Sequence, residues 1–471
     1  MSRTILHTIT LKKDFMDLEN LLVVSAISKN TSAANATALG HGRSRQIQKG
    51  QLNLLDIIDL DGKIQFLKIN PKHIYETNLS SAINALGIKE NLKFLCDSCD
   101  IRYRDIALKM SGMLALAAEK MCRAYLSGTP IIIRYHNDGD GMSCAIALYR
   151  AFMHINGLGM CDGRAVTWIM SKEISYSKDA LELDLSIARS YLSIEKPMLI
   201  MADMGTNLDS NDSIKKLSGQ FDILWLDHHS KPAGFDSASS IYINPLDFNG
   251  TSSMSAGLIC SMLANAVGTD ANDIAQASLI SDFSMYADSS NKRAHMIATV
   301  VDYLSAKLDN PNARPMAADG IIRDENKLIM IYNEVSEMFE KAIEIGSKIA
   351  RKYAGMNNCS IYVVDFGKIA PELYGYPLPG RFTSRLHNIR EQKNNGSTIT
   401  VVYYKSYISI RVSRDISKAT DLLGIIDRIR DASDGRFSGG GHMEAASIKA
   451  GDSGMDEALS LLLGYLGAAK L

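Results

Sequence analysis

Short apolar runs punctuate the middle of the chain, and helix-like stretches separate them. The runs are Pro130-Ile131-Ile132-Ile133, Ala165 to Met170, Pro197 to Ala202 and Phe221 to Leu226. Runs this short and this apolar predict buried strands. Their alternation with helical patterns such as Met142 to Arg150 predicts βαβ units and a parallel sheet. Three of the runs lead into acidic or histidine residues. His136, Asp138 and Asp140 follow the first, Asp203 the third, and Asp227, His228 and His229 the fourth. Ligands of open parallel sheets bind outside the carboxyl ends of the strands. The pattern therefore predicts one site fed by three strand ends. Beyond it come a short strand at Tyr242 to Pro245 and a small-residue helix at Thr251 to Val267. A further stretch, Ala275 to Ser281, ends in the carboxylate of Asp282.

The flanks are patterned differently. Ile106, Met110, Met113, Leu114, Ala117, Met121 and Tyr125 recur at threes and fours, so Ile101 to Ser127 predicts a helix closed by Gly128. Residues 1–100 hold strand candidates at Leu21 to Val24 and Leu54 to Leu60. Asp61-Gly62 is a hairpin turn before the alternating Lys63 to Ile69, and Asn30 to Gly50 reads as a mobile loop. Arg323 to Tyr353 carries Leu328, Ile331, Val335, Met338, Phe339, Ala342, Ile345 and Ile349 at helical spacing and predicts a long connecting helix. A second α/β unit follows. It has a strand at Ser360 to Val364, a helix at Ser384 to Gln392 and a strand pair at Ser397 to Tyr404 and Ser406 to Ser413. A helix at Asp421 to Arg430, a glycine loop at Phe437 to His442 and a last strand at Glu444 to Lys449 complete it. The expected fold is α/β. A small N-terminal module (1–100) precedes a parallel-sheet domain (101–322), a connecting helix (323–355) and a smaller α/β domain (356–471).

Composition narrows the function classes. The 471 residues are 46% hydrophobic, which supports real cores, and the formal net charge is −1. There is no global basic footprint, so any nucleic-acid contact rests on a local patch. No leader pattern and no bilayer-length apolar run is present, and a soluble cytoplasmic protein without membrane contact is expected. Of seven cysteines, Cys96 and Cys99 form a lone C-x-x-C with no second pair at zinc spacing. Free thiols in a reducing compartment follow.

The chemistry concentrates at His136, Asp138 and Asp140, spaced i, i+2, i+4, where a strand hands over to a helix. Gly139 and Gly141 let the backbone turn tightly there. Asp-Gly is ordinary turn chemistry, but packing asks for no such set of ligand types. A hard divalent cation, or a pair of them, does.

In order along the chain stand H-x-D-x-D-G at His136–Gly141, D-x-G at Asp203–Gly205, D-H-H at Asp227–His229 and G-G-G-H at Gly439–His442. This order resembles the DHH phosphoesterase superfamily with a C-terminal DHH-associated domain, over roughly residues 128–470. Within the superfamily the chain looks most like archaeal RecJ-like proteins, which include single-strand exonucleases and replisome-associated members. The resemblance implies two divalent metal ions, usually manganese, with magnesium as the alternative. By motif match His136, Asp138 and Asp203 would hold one ion, and Asp140, Asp203, His228 and Asp282 the other, with Asp203 bridging. Asp227 would orient His228, and His229 would contact the scissile phosphate or assist the leaving oxygen. In the associated domain Gly439, Gly440, Gly441 and His442 would approach a phosphate. Arg411 and Arg414 are the substrate-strand candidates among eight arginines between 381 and 436, and Tyr403, Tyr404, Tyr407 and Phe437 are stacking candidates.

The chain departs from the family pattern at Ser278-Leu279-Ile280-Ser281, where a glycine-led run is usual before Asp282, and at Ser447, where Gly often stands. It keeps the full acidic set that the related eukaryotic helicase cofactor has largely lost, which argues for an enzyme. The expected activity is metal-dependent hydrolysis of single-stranded DNA or RNA from an end, in replication or repair. Phosphodiesterase action on oligoribonucleotides or cyclic dinucleotides is the second reading. A replisome subunit binding GINS or helicase is the third.

Overall fold

Both faces of the central sheet are covered, which is why its strands read as unbroken apolar runs. The computed structural model describes residues 79–471 apart from 158–165, 191–195, 238–240, 308–313, 356–358, 374–375, 395–396, 442, 452–453, 468 and 471. Four strands nearer the N-terminus are also described: β1 Thr4–Leu6, β2 Ala26–Ser28, β3 Leu54–Ile58 and β4 Ile64–Lys68. β3 and β4 pair antiparallel, as the Asp61-Gly62 turn predicts. The Leu21–Val24 strand and the 30–50 loop fall outside the described residues.

The chain divides into two compact units, residues 1–295 with 310–317, and 296–309 with 318–471. In the first, helices α1 Ile88–Ser98 and α2 Arg104–Leu126 precede β5 Ile131–His136 and α3 Gly139–Asn156. Then come β6 Val166–Ser171, α4 Lys178–Ser190, β7 Met198–Ala202, α5 Asn211–Leu217, β8 Asp222–Leu226 and β9 Ile241–Ile243. Helices α6 Ala256–Ala266 and α7 Asn272–Ser281 follow. The strands form one parallel sheet in the order β6-β5-β7-β8-β9. On one face Ile132, Leu199, Met201, Ile223 and Trp225 pack with Leu181 of α4 and Ile214 and Leu217 of α5. Their alternates Ile131, Ile133 and Ile200 are fully buried on the other face, where α3 and α6 pack on the sheet.

Arg134 is the exception within this apolar layer. Its guanidinium makes a two-pronged pair with Asp184, at 2.7 and 2.8 Å. Tyr176 also donates to Asp184. Both charges are buried, at 5% and 0% side-chain exposure. Asp184→Ala would strand the guanidinium, and the expected loss of stability is about 3–5 kcal/mol, read by urea unfolding. A loss under about 1 kcal/mol, typical of an exposed pair, would contradict this account.

The chain continues through α8 Lys292–Lys307, α9 Arg314–Arg323 and α10 Glu325–Ile349. α10 carries the long periodic pattern but is shorter than the Arg323–Tyr353 expected from it. Asp324 caps its start, accepting from Lys327 N, and residues Arg351–Ala354 form strand β10 instead. The second unit then has β11 Ser360–Asp365, α11 Pro379–Asn394, β12 Thr398–Tyr404, β13 Tyr407–Val412, α12 Arg414–Thr420 and α13 Leu422–Ala432. β14 Ser438–Gly441, β15 Ala445–Lys449, α14 Met455–Tyr465 and β16 Ala469–Lys470 end it. Its sheet runs β14-β15-β13-β12-β11-β10-β16, parallel between β11 and β12 and antiparallel elsewhere.

The glycine stretch is a correction. Ser438–Gly441 is an edge strand paired with β15, not a loop. A Cβ at Gly439 would sit 2.4 Å from Ser447 O, and one at Gly441 2.3 Å from Ala445 O, so the strand pairing itself needs those two glycines. Gly440 has open space around it.

Candidate metal centre

The three reactive strand ends belong to three neighbouring parallel strands. Register pairs Tyr135 with Ala202 and Ala202 with Leu226. His136 is the last residue of its strand, while Asp203 and Asp227 each follow the last residue of theirs. All three stand at the same edge. Asp203 is in the left-handed region, with φ +59°. Two residues on stands Gly205, where a Cβ would lie 2.7 Å from the Trp225 ring. Trp225 Nε1 donates to Met204 O at 2.8 Å. The turn that presents Asp203 is therefore pinned by a core tryptophan. Gly141 is just as confined, since its Cβ would lie 2.3 Å from His136 O.

His136 Nδ1 is 2.8 Å from Asp138 Oδ2 and 3.9 Å from Asp203 Oδ2. Asp138 caps α3, its other oxygen accepting from Gly141 N at 2.9 Å. His228 Nε2 is 3.4 Å from Asp203 Oδ1 and 3.7 Å from Asp140 Oδ2. Asp282 approaches the opposite ring nitrogen, with Oδ2 3.6 Å from His228 Nδ1. His229 Nδ1 is 2.8 Å from Asp227 Oδ1 and 3.8 Å from Asp203 Oδ1. Asp203 thus faces His136 on one side and both members of the histidine pair on the other. The structure gathers His136, Asp138 and Asp203 into one group and Asp203, Asp227, His228 and His229 into another, while Asp140 and Asp282 stand beside His228 on opposite sides of its ring and enter neither group.

Asp227 differs from its expected part. Its carboxylate takes the His229 ring and the backbone N–H groups of His228 and His229. The His228 ring is instead held by Ser252 O at 2.5 Å. Two adjacent rings point different ways, so one carboxylate meets only one of them. The groups that hold Asp140 carry no local signature along the chain. Its oxygens accept from Ala256 N and Gly257 N at the start of α6, each at 2.9 Å, and from the Ser278 hydroxyl. A helix start suits a carboxylate. Ser278 opens the stretch that departs from the family's glycine-led pattern, and here its hydroxyl serves the site. Thr206, which donates to Asp227, was likewise unseen.

Burial raises the pKa of Asp203 well above the ordinary carboxylate range, with Asp138 and Asp140 adding repulsion. Burial likewise raises Asp140, and it raises Asp282 to about 6. Burial pulls His228 down, but Asp282, Asp203 and Asp140 outweigh it and hold the ring well above its usual value. His136 is raised in the same way, chiefly by Asp138 against burial. Asp227 runs opposite. Burial would raise it, yet His229, His228 and the Thr206 hydroxyl bring it to about 2.

These residues fit divalent cations. Asp203 Oδ2 is buried and has no hydrogen-bond partner among the described residues, a costly state for a carboxylate oxygen that a cation would resolve. Ligand atoms of His136, Asp138 and Asp203 lie within 4.8 Å of one another, and so do those of Asp203, Asp227, His228 and His229. Mixed carboxylate and imidazole donors suit manganese. Cys96 and Cys99 enter neither cluster. Both thiols are free, and burial pushes Cys96 up to about 11.

The raised groups make metal binding and protons compete. Each raised carboxylate favours its protonated form on folding. That contribution is present below pH about 4 and is lost as pH climbs through the folded value, about 6 for Asp282. His228 acts with the same sign, and Asp227 matters only in strong acid. The metal-free protein should therefore lose melting temperature between pH 5.5 and 8, and manganese should restore more at pH 8 than at 5.5. Thermal melts with EDTA or Mn2+ measure this. Equal increments at both pH values would contradict it.

In the second unit Arg411 lies on β13, half-buried. It donates to Ser384 Oγ at 3.0 Å and Ile410 O at 2.9 Å. Among the described residues no carboxylate pairs with it. Burial, with Arg381 nearby, pulls its pKa below the usual guanidinium value. Arg414 is 84% exposed and pairs with Glu444. Arg381, Arg385, Arg430 and Arg436 all pair with carboxylates. Register sets Arg411 opposite Ala445 and Gly441 opposite Ala446, so both flank the same end of β15. His387, missed in the sequence, lies on α11 with Nδ1 3.1 Å from Thr400 Oγ1, and burial lowers it to about 4. Of the stacking candidates, Phe437 is core, Tyr403 and Tyr404 pack against the two cores, and Tyr407 is 37% exposed. His442 lies outside the described residues. Among the described residues no helix is long and apolar enough to cross a membrane.

Residues 130–283 match the sequence profile of the DHH family, N-terminal domain. An uncharacterized protein of Methanocaldococcus jannaschii is 21% identical over 401 residues, covering 73% of this chain and 52% of the relative. The chain thus spans about half the length of that curated relative. A solved structure described as the DHH domain of a member of the s1p family of ribosomal proteins shares the fold. Its TM-score is 0.67 at 19% identity, over 85% of this chain and 100% of that one. The structure of exonuclease RecJ bound to manganese superposes at a TM-score of 0.48 and 13% identity, over 75% of this chain and 94% of that one.

Proposed function

The chain is a member of the DHH superfamily through its domain at residues 130–283, and on that premise we propose that it is a two-cation phosphodiesterase acting on single-stranded nucleic acid from an end. The observation that carries the reading is Asp203, a buried, left-handed carboxylate with one unpartnered oxygen between two ligand clusters that share it. His136 and Asp138 with Asp203 would hold one cation. Asp140, His228 and Asp282 with Asp203 would hold the other. Such a pair supplies Lewis acidity that makes water a nucleophile near neutral pH and offsets charge on the reacting phosphate.

The protein's own groups do the rest. Asp227 stays ionised and accepts from His229 Nδ1. That fixes the tautomer and leaves Nε2 for the phosphate or the leaving oxygen. Ser252 O fixes the His228 ring in the same fashion. Arg411 supports an anionic substrate: a half-buried guanidinium with no carboxylate partner among the described residues is suited to a backbone phosphate. Gly440, with open space around it, lets a phosphate come close to the backbone.

The test is digestion of single-stranded DNA and RNA of graded length, labelled at each end in turn, with Mn2+ or EDTA. Stepwise shortening of long strands supports the reading, and the label gives its direction. Cleavage confined to strands of two to five nucleotides, on the order of a single subsite row, would replace it with a short-substrate phosphodiesterase. Absence of any turnover would overturn it in favour of a binding role.

A further inference from the structure

We propose that Asn244 is the positioning residue for His229; the proposal rests on the phosphodiesterase reading above. Asn244 follows the last residue of β9 and is fully buried. Register sets Ile243 opposite Leu226, the last residue of β8, so Asn244 stands level with Asp227. Asp227 N donates to Ile243 O at 3.1 Å and fixes that level. The strand behind it is anchored in the sheet core. The Tyr242 ring meets Trp225 edge-on at 5.5 Å and has Lys231 Nζ 4.4 Å from its centre.

The partners of Asn244 decide which way its amide faces. Oδ1 accepts from Leu246 N at 3.0 Å and so caps the short 3-10 turn Pro245–Phe248. A backbone N–H only donates, so the amide oxygen must lie there. Nδ2 then donates to His229 O and to the Tyr242 hydroxyl, each at 2.9 Å. The hydroxyl hydrogens follow in turn. Thr206 gives its hydrogen to Asp227 Oδ2, so across the 3.3 Å between Thr206 and Tyr242 the tyrosine donates. The result is a closed circuit. It runs from Asn244 through Tyr242 and Thr206 to Asp227, on to the His229 ring, and from His229 O back to Asn244.

The circuit holds His229 on both sides of its Cα. Asp227 Oδ1 takes the ring Nδ1 and the backbone N–H on one side, and Asn244 takes the carbonyl on the other. The direction of Nε2 is set by both. Capping alone explains only half of Asn244, because a cap uses Oδ1 and the hold on His229 uses Nδ2. An error of about 1 Å in the place of a reacting group costs on the order of a hundred-fold in rate.

Asn244→Asp separates the two roles. It keeps the shape and the capping oxygen, but a carboxylate has no hydrogen for His229 O or Tyr242. In the full chain with Mn2+ its kcat on a single strand should fall about ten- to a hundred-fold, with KM and manganese content close to the parent's. Asn244→Ser is the second variant, in case the buried carboxylate unfolds the chain. Its hydroxyl still caps and is one bond shorter than the amide, and it should show the same fall. Tyr242→Phe breaks only the Thr206 arm and should cost a few-fold. A merely structural Asn244 would lower the melting temperature and leave kcat at the parent's value, which overturns the proposal. A second readout is independent of turnover. In the metal-free, 15N-histidine-labelled chain, the Nδ1–H that His229 gives to Asp227 should appear as a low-field proton resonance, identified by its loss in His229→Gln. Asn244→Asp and Asn244→Ser should lose it through exchange with water, and Tyr242→Phe should keep it. A resonance unmoved in both Asn244 variants overturns the proposal. Should the wild-type chain cleave nothing, the phosphodiesterase reading fails, and this resonance alone decides for or against the positioning role.

Discussion

Asp203→Asn should abolish turnover and at the same time raise the melting temperature of the metal-free protein. The first half follows from position: Asp203 is the one residue common to both ligand clusters. An amide in its place weakens both cation sites, and a fall on the order of a thousand-fold or more in kcat/KM is expected. The second half follows from burial. The carboxyl is 2% exposed, and burial with two neighbouring carboxylates pushes its pKa up, so ionising it near neutral pH works against the fold. Asn removes the charge and tolerates the left-handed backbone at φ +59°. Thermal melts in EDTA beside a turnover assay with Mn2+ give both quantities. Retained turnover, or a metal-free variant less stable than the parent, would contradict the account.

Gly257→Ala should also cost much of the activity without removing a candidate ligand. A Cβ there would stand 2.4 Å from Ser278 Oγ and 2.8 Å from Asp140 Oδ1. Both belong to the cluster that holds Asp140 against the start of α6. Something must shift, and Asp140 is what the site needs fixed. Loss of one manganese per chain and a fall in kcat on the order of a hundred-fold are expected. Overpacking should also lower stability by about 1–3 kcal/mol. Adding Ser278→Gly removes the closest clash, so the double variant should recover part of the stability. It should recover less of the activity, because the Ser278 hydroxyl is lost with it. A Gly257→Ala chain with full manganese content and wild-type rate would show that Asp140 is not placed by this contact.

The parallel-sheet strands were legible because a sheet covered on both faces demands apolar runs, and β7, β8 from Ile223 and β5 up to Arg134 have them. The candidate ligands His136, Asp138, Asp140, Asp203 and His228 were legible because they stand at or just past the ends of such runs, whereas Asp282 follows a helix. The supports were not. Asp140 is held by backbone N–H groups 116 and 117 residues away, and no local pattern announces a partner at that distance. The two histidines after Asp227 look equivalent in sequence, and only the turn decides that Asp227 takes the His229 ring. Ser438–Gly441 read as a loop because glycine is common in loops, yet strand crowding at Gly439 and Gly441 explains those residues. The last turns of the expected long helix went to β10, since Arg351–Ala354 pairs along β11.

The measurement that bears most directly on the central claim is a manganese titration of the full chain in which bound metal and cleavage of an end-labelled single strand are followed in the same samples. The account predicts two Mn2+ per chain, cleavage appearing as the second site fills, and neither in Asp203→Asn. Saturation at one Mn2+ with full cleavage, or cleavage that persists in EDTA, would contradict it.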